Sequence, residues 1–275
     1  MKNYRLYSGT FLVAMTTLAL QILFTRLLSV ITWYYFAFFI IAVAMLGITA
    51  SAITVYKKPQ LFLKNIEQSL SNTSILFSVS IQVSLIMVCI LPFLSLKESI
   101  LTVISIFLSS AFIFLPFYLS GIIIVLVLTK AKLPTGKIYA ADLLGACLGC
   151  LLVLFAINFL DAPSVILLCS VIALIAGALF NWPCFSLKKK VSWVLIIFLF
   201  LFLSIANSWS LKAIRPVVVK GNVMTPSKYL LERWNSYSRI VVYNPTKGES
   251  YAGGKQWEYT SFRMTIDSDA STGII

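Results

Sequence analysis

The sequence contains no histidine and few acidic residues. Its 275 residues include 22 Lys and Arg but only 9 Asp and Glu, which gives a formal net charge of +13. Without an imidazole, a Ser-His-Asp triad, a His-ligated zinc site and a histidine general base are all excluded. The sequence also has neither a P-loop nor a Gly-rich dinucleotide turn after a strand.

Charge of either sign is scarce. Charged residues make up 11% of the chain and hydrophobic residues 60%, whereas a soluble domain has about 25% charged residues. Between Leu6 and Tyr56 the only charged side chain is Arg26. Because a spanning helix needs about 20 apolar residues, this stretch predicts two spans with a turn near residues 29–33. The lipid bilayer is thus the first expected partner. The net positive charge does not indicate nucleic-acid binding, because the Lys residues lie in short loops between apolar runs.

Five further apolar runs predict five further spans, at residues 74–92, 100–129, 139–158, 164–182 and 191–209. The run 100–129 would be about 45 Å long as a straight helix against a core of about 30 Å, so it must tilt, kink at Pro116 or lie partly in the interface. No small-residue cleavage site follows the first span, which is expected to remain as an anchor. Residues 1–210 are therefore predicted to be a multi-span domain of about seven transmembrane helices.

Loop charges predict the orientation in the cell membrane, inner or plasma. The amino terminus and the loops 57–64, 130–137 and 188–190 are basic, while the turns at Lys97-Glu98 and Asp161 are not. The positive-inside rule places the basic set, with the amino terminus, in the cytoplasm. Seven crossings put the tail outside, but the parity changes if the run 191–209 lies in the interface, and long tails follow the rule poorly.

The tail, residues 211–275, has a different sequence pattern from the apolar runs of residues 1–210. Short β-branched or alternating runs at residues 217–219, 239–243 and 262–266 are separated by Asn244-Pro245, Lys247-Gly248 and Gly253-Gly254. This pattern predicts an antiparallel β-meander. A piece of about 65 residues is marginal as a free domain, so we expect it to lean on the membrane body or on a partner domain.

Two patterns in the fifth span favour helix packing. Ala141, Gly145 and Gly149 recur every four residues, which is typical of a close helix contact, although a cofactor or lipid groove has the same pattern. Cys147 and Cys150 form a C-x-x-C that would suit quinone-linked thiol exchange. We favour two small packing residues, since neither a βαβ context nor a second outward Cys pair supports exchange.

Three charges at membrane boundaries are candidate site residues. Asp142, at the start of the fifth span, is explained by a helix amino terminus and by Lys137 nearby. Arg26, near the outer end of the first span, is closer in depth to Asp161, so it either pairs with Asp161 or snorkels to the interface.

Several runs resemble the membrane-fused spermidine synthase-like proteins. They are Ser8-Gly9, ALQILFTRLLS at 19–29, YAADLLGA at 139–146 and ERWNSYSR at 232–239. The resemblance implies a multi-span module that precedes an aminopropyltransferase domain, whose soluble relatives transfer an aminopropyl group from decarboxylated S-adenosylmethionine to putrescine. The tail resembles the small β-domain that begins such an enzyme, with residues 264–269 similar to its strand and acidic turn.

The resemblance makes Ser238, Arg239, Asp267 and Asp269 candidate substrate-domain residues. Arg239 stands where soluble spermidine synthases have Gln, which departs from ordinary polyamine specificity. The family's Gly-rich nucleoside turn, ribose-binding acid and Asp-bearing loop would all follow residue 275. The chain is therefore expected to hold no catalytic residue, metal or cofactor by itself, and decarboxylated S-adenosylmethionine is implied only for a complete family member.

Three functions stay open at this point. The first is the non-catalytic membrane module of a spermidine synthase-like protein, either truncated or encoded as half of a split gene with a separate aminopropyltransferase partner. The second is a carrier of small solutes such as polyamines, and the third is an anchor for a partner enzyme. Carriers usually have ionisable residues at mid-depth and interrupted helices in matched halves, whereas here only Pro116 interrupts a span.

Overall fold

The computed structural model describes the chain except for residues 1, 35, 64, 93–99, 132, 211–213, 226–227, 253–254 and 275. Within the described residues, seven helices are long and apolar enough to cross a membrane. They are α1 (Lys2–Ile31), α2 (Phe36–Lys57), α4 (Ile66–Ile90), α5 (Ile100–Lys130), α6 (Thr135–Phe159), α7 (Ala162–Asn181) and α8 (Leu187–Trp209), and a short α3 (Gln60–Leu63) lies between α2 and α4. This confirms the predicted class, a multi-span helical protein with a small β-rich tail.

Several helices begin earlier than the apolar runs predict, because capping residues start them inside polar sequence. Asn65 caps α4 by accepting a hydrogen bond from the backbone N–H of Gln68, and Ser186 caps α8 in the same way. The side-chain amide of Gln68 is hydrogen-bonded within the bundle: it donates to Asn72 on the same helix and accepts from Asn181 at the end of α7. α5 is one helix of 31 residues that continues through Pro116.

α7 lies at the centre of the bundle. It packs against α1, α4 and α8, while α6 packs on α1, α5 on α4, and α2 on α5. Polar side chains link the helices: the Ser78 hydroxyl donates to the carbonyl of Ser170 at 2.7 Å, and Gln82 Nε2 donates to the Ser170 hydroxyl at 3.0 Å. Where water is excluded, such bonds between helices add to the packing.

The tail forms two antiparallel sheets from β1 (Val218–Val219), β2 (Asn222–Val223), β3 (Tyr229–Trp234), β4 (Arg239–Tyr243), β5 (Thr246–Ala252), β6 (Lys255–Ile266) and β7 (Ala270–Ile274). β1 pairs with β2, and the larger sheet has the order β3-β4-β6-β5, with β7 also on β6. The predicted meander is wrong in its order, because the long β6 pairs with β5 through its first half and with β4 and β7 through its second. Lys247-Gly248 is part of β5 and not a turn.

The tail packs on one end of the bundle. The backbone N–H of Lys220 donates to the carbonyl of Ile31, the last residue of α1, at 2.7 Å, and that of Val217 donates to Cys89 near the end of α4 at 2.9 Å. The amino terminus of α1 therefore lies at the opposite end, together with Lys57, Lys130 and Lys188, which end or begin α2, α5 and α8. The predicted loop at Lys97-Glu98 and the Gly253-Gly254 turn lie outside the described residues.

Candidate functional site

A chain of six charged side chains of alternating sign joins the tail to the helices. We call it the junction chain, and its members in order are Asp161, Arg215, Glu232, Arg239, Asp267 and Arg26. Its first member caps α7 and its last belongs to α1, while the four between them belong to the tail. The chain thus starts and ends on membrane helices and passes through the sheet.

The first half of the junction chain holds the ends of two helices. Asp161 caps α7 by accepting a hydrogen bond from the backbone N–H of Ser164 at 2.8 Å, and its other oxygen accepts from Arg215 Nη2 at 2.8 Å. The same Nη2 donates to the carbonyl of Asn207 in α8 at 3.1 Å. Arg215 Nε lies 3.7 Å from Glu232 Oε2, which carries the contact into β3.

The second half lies in the β3–β4 hairpin and is almost completely buried. The side chain of Arg239 is 1% exposed and that of Glu232 is 4% exposed, and the Arg239 Nε donates to Glu232 Oε1 at 2.9 Å. Glu232 also accepts from the Trp234 indole N–H at 2.9 Å. Charges this deeply buried persist only when each is paired and hydrogen-bonded, and both conditions are met here.

The last step returns to the membrane helices. Asp267 Oδ1 accepts from the backbone N–H of Arg239 at 2.8 Å and from Arg26 Nη2 at 3.1 Å. Arg26 Nη2 also donates to the carbonyl of Tyr237 at 2.6 Å. Beside this step, Lys220 and Asp269 form a more exposed ion pair at 3.3 Å.

Burial and pairing act in opposite directions on the two buried carboxyls. Burial by itself raises the pKa of Glu232. The cations of Arg239 and Arg215 and the hydrogen bond from Trp234 lower this pKa by more than burial raises it, so the net pKa lies below its usual range. Burial raises the pKa of Asp161 above its ordinary value, although Arg215 and the Ser164 N–H oppose the rise. Both carboxyls are engaged by cations, which makes them positioning groups and not free acids or bases.

The structure separates the boundary charges that the sequence analysis considered together. The predicted alternative of an Arg26–Asp161 pair is wrong, because Arg26 pairs with Asp267 and Asp161 pairs with Arg215. Asp142 does not begin its helix, since α6 starts at Thr135 and Asp142 follows about two turns later. It therefore lies towards the end of the bundle that is opposite to the junction chain.

The candidate substrate-domain residues surround the junction chain. Arg239 and Asp267 belong to it, and Asp269 pairs with Lys220. Ser238 lies in the turn before β4, where its backbone N–H and that of Tyr237 donate to the side chain of Asn235. The acidic turn is conformationally special: Asp267 and Ser268 have φ values of 51° and 59°, in the left-handed region that non-glycine residues seldom adopt.

The small-residue stripe of α6 lies against α1. A Cβ atom added at Gly145 would overlap the backbone carbonyl oxygen of Phe11, and one at Gly149 would overlap that of Met15. Gly145 and Gly149 are buried, while Ala141 at the end of the stripe is only partly covered. The glycines thus allow two helix backbones to approach closely. Cys147 and Cys150, near the stripe, are free thiols.

Sequence reasoning missed three members of this site, namely Arg215, Glu232 and Lys220. The sequence does hold one signal for Glu232, namely that acidic residues are rare. With only nine Asp and Glu in the chain, a carboxylate in the strand that ends at Trp234 is expected to pair with a cation. Arg215 follows the last span within a few residues, where a cation at the membrane boundary is common and its burial is not visible in sequence.

A cavity of about 280 Å³ borders the junction chain. Its walls include Asp161, Arg215, Glu232, Trp209 and Trp234. In the part of the chain that the structure describes, no three His, Cys, Asp or Glu side chains come together in a way that could hold a metal ion. No protein-family model, curated protein or solved structure matches this chain.

Proposed function

We propose that this chain is the membrane module of a spermidine synthase-like protein, which holds the first strands of an aminopropyltransferase-like domain against the bilayer and does not catalyse transfer by itself. The observation that carries the proposal is the junction chain. A flexible linker would be enough to keep a domain near the membrane. A series of ion pairs, joined at one step by the backbone N–H of Arg239, instead connects α7, the sheet and α1 and fixes the orientation of the sheet, which is what an anchor for a catalytic domain requires.

The occupied state of the candidate substrate-domain residues supports an anchoring role. Asp267 is engaged by Arg26 and by the N–H of Arg239, and Asp269 is engaged by Lys220. The guanidinium of Arg239 is held by Glu232 and Ser268. The contacts of Arg239 and Asp267 hold the tail, and a substrate would have to break them to bind either side chain, whereas Asp269 is largely exposed.

The proposal includes an orientation, with the amino terminus cytoplasmic and the tail on the other face of the cell membrane. Its support is that the basic residues Lys57, Lys130 and Lys188–Lys190 lie at the end of the bundle that carries the amino terminus. The sheet is attached at the other end, and basic loops are retained on the cytoplasmic side.

A polyamine carrier is less well supported. A cavity of about 460 Å³ lies among α4, α7 and α8, and apolar residues such as Ile75, Val79, Ile196 and Phe200 form much of its wall. Its only charged lining residue is Lys189. A polycation would need carboxylates along its path, so this cavity does not suit a polyamine.

The decisive experiment tests the chain alone and then with a catalytic partner. Purified alone, it should neither bind decarboxylated S-adenosylmethionine in calorimetry nor form spermidine from putrescine, because a nucleoside donor needs a preformed pocket with an acidic ribose partner. An aminopropyltransferase domain supplied in trans should give activity only together with this chain.

A matched pair of variants tests the anchor itself. Arg26→Gln removes the contact with Asp267 and Tyr237 and should lower the complemented activity, while Arg5→Gln, at the opposite end of α1, should leave it unchanged. Activity from the chain alone would contradict the proposal. So would the absence of activity from the folded pair.

A further inference from the structure

The cavity of about 460 Å³ is a groove between α4 and α8. Each of these helices packs on α7, and among the described residues there is no extensive contact between α4 and α8 themselves. Leu174 of α7 contributes to the wall between them. We call this cavity the α4–α8 groove. Both helices begin at the end of the bundle that is opposite to the tail, so the two walls of the groove run in the same direction.

The length of the α4–α8 groove matches one leaflet of a bilayer. Its lining extends from Gln68 to Val79 on α4 and from Lys189 to Phe200 on α8, a separation of eleven residues in each case. At a rise of about 1.5 Å per residue, each wall is about 16 Å long. The hydrocarbon core of a bilayer is about 30 Å thick, so the groove is about as long as one leaflet of that core.

The groove is polar where the two helices begin. Lys189, Asn72 and Ser192 line this end, and all three residues are exposed, so their polar groups are open to a ligand. The rings of Phe185 and Trp193, which are also on the wall, stack with 5.6 Å between their centres. A lysine and a tryptophan at this level are typical of the zone where a protein meets lipid headgroups.

The deeper part of the groove is apolar. Its small residue, Ser78, is buried, and the Ser78 hydroxyl donates to the carbonyl of Ser170 inside the bundle. A helix of a partner or of a second copy would need several small residues here in order to approach closely, whereas a flexible hydrocarbon chain would not. Bulky side chains form the rest of this part, namely Ile75, Val79, Leu174, Ile196 and Phe200.

The charge at the polar end is positive. Lys189 lines the groove, and Lys188 and Lys190 flank it at the start of α8. Lys190 is held 5.8 Å from the centre of the Trp182 ring. Glu67, at the start of α4, is not on the wall, and among the described residues no carboxylate forms an ion pair with Lys189. This end is therefore complementary to an anion.

We infer that the α4–α8 groove binds one anionic phospholipid, with an acyl chain along its apolar part and the phosphate at Lys189. The polar and apolar parts follow each other in the order in which a phospholipid presents its headgroup and its chains. A basic site between transmembrane helices suits an anionic headgroup. The lipid fills the space between α4 and α8 and so holds α8 to the bundle. The inference does not rest on the proposed function, because the groove lies away from the tail.

The first test compares phosphatidylglycerol with phosphatidylcholine of the same acyl chains, each titrated into the full chain in maltoside micelles. Native mass spectrometry should show that the parent retains one phosphatidylglycerol more tightly than phosphatidylcholine. The anionic lipid should also raise the melting temperature more, since a ligand that binds only the folded state stabilises it. A parent that does not prefer phosphatidylglycerol overturns the inference.

A matched pair of lysine variants locates the headgroup. Lys189→Gln should weaken phosphatidylglycerol binding by about fivefold, the contribution of one lysine close to an anionic lipid, and should leave phosphatidylcholine binding unchanged. Lys188→Gln, at the adjacent exposed lysine outside the groove, should bind like the parent. Equal losses in the two variants would indicate diffuse attraction to the basic end of the bundle and would overturn the inference.

A second pair of variants locates the acyl chain. Ile196→Trp should fill the apolar part of the groove and reduce the binding of both lipids, while Leu195→Trp, at an exposed position outside the groove, should not. Melting without added lipid shows whether each variant is folded, and the lysine pair decides the inference if Ile196→Trp is not. Binding of phosphatidylglycerol to folded Ile196→Trp with the affinity of the parent would overturn it.

The remaining arms test other occupants. Glycerophosphoglycerol, the headgroup of phosphatidylglycerol without its chains, should not bind measurably in calorimetry. If it binds as tightly as the lipid, the site takes a soluble anion and the inference is overturned. A dimer without retained lipid in native mass spectrometry, which Ile196→Trp dissociates and Leu195→Trp does not, would make the groove an interface between two copies and would also overturn it.

Discussion

Arg239 is the residue on which the attachment of the tail most depends. Its guanidinium joins Glu232 on one side and Ser268 on the other, and its backbone N–H reaches Asp267. It also lies over the Trp234 ring, with 5.7 Å between the guanidinium carbon and the ring centre. Because the side chain is excluded from water, removing it leaves the Glu232 carboxylate buried with one cation fewer.

We predict that Arg239→Met lowers the free energy of unfolding of the tail by about 3 kcal/mol, the lower end of the range for breaking a buried ion pair, because Glu232 keeps Arg215 at 3.7 Å. Adding Glu232→Gln should restore much of the loss, since it removes the uncompensated charge. Hydrogen exchange of the β3 and β4 amides in detergent micelles measures both effects. Arg233→Met, at an exposed position of the same strand, should change exchange little; an equal change in the two arginine variants would contradict the prediction.

At this scale the sequence predicts which residues are unusual but not which residues they meet. Arg26 stands out because it is the only charge in 49 residues of apolar sequence, between Leu6 and Tyr56. Its partner Asp267 is 241 positions away, and no periodicity relates the two. Depth in the membrane relates Arg26 to Asp161 only among the helices, whereas Asp267 belongs to the sheet that covers the helix ends.

Among the elements, the helices follow from hydropathy and the strands follow only in part. Twenty apolar residues have few alternatives to a helix in a membrane, so all seven spans are predictable. Their first turns are not, because capping by Asn65 or Ser186 recruits polar residues that hydropathy assigns to loops. β3, β5 and β7 were missed since their composition is polar or mixed and their pairing in the sheet fixes them.

The contact between α1 and α6 gives a prediction for this scale. Gly145→Ala should lower the melting temperature in detergent, by an amount equivalent to about 1–3 kcal/mol, because the new Cβ would overlap the Phe11 carbonyl and push the helices apart. Gly136→Ala is the matched control on the same helix. Its Cβ meets no atom within 4 Å, so it should be neutral or stabilising. Gly145→Ala melting at or above the parent would show that α1 is not held against α6.

For the whole molecule, seven crossings separate the amino terminus from the tail. We predict that reporter fusions after Lys58, Lys132 and Lys190 indicate cytoplasm, while fusions after Asp161 and after Gly273 at the end of β7 indicate the outside. The basis is the placement of the basic loops at one end of the bundle and of the sheet at the other. Alkaline phosphatase and green fluorescent protein report the two sides oppositely. An outside signal at Lys132, or a cytoplasmic signal at Gly273, would contradict this topology.

The order of synthesis gives the junction chain a further consequence. Arg26 emerges from the ribosome 241 residues before Asp267, a delay of roughly 12–50 seconds at ordinary translation rates. Throughout that interval the first helix presents an uncompensated cation at the membrane surface, and α7 likewise waits for Arg215. Completion of the junction chain is therefore a late event in biogenesis. A chain that stalls before Arg215 and Asp267 are made would leave Arg26 of α1 and the Asp161 cap of α7 without these partners.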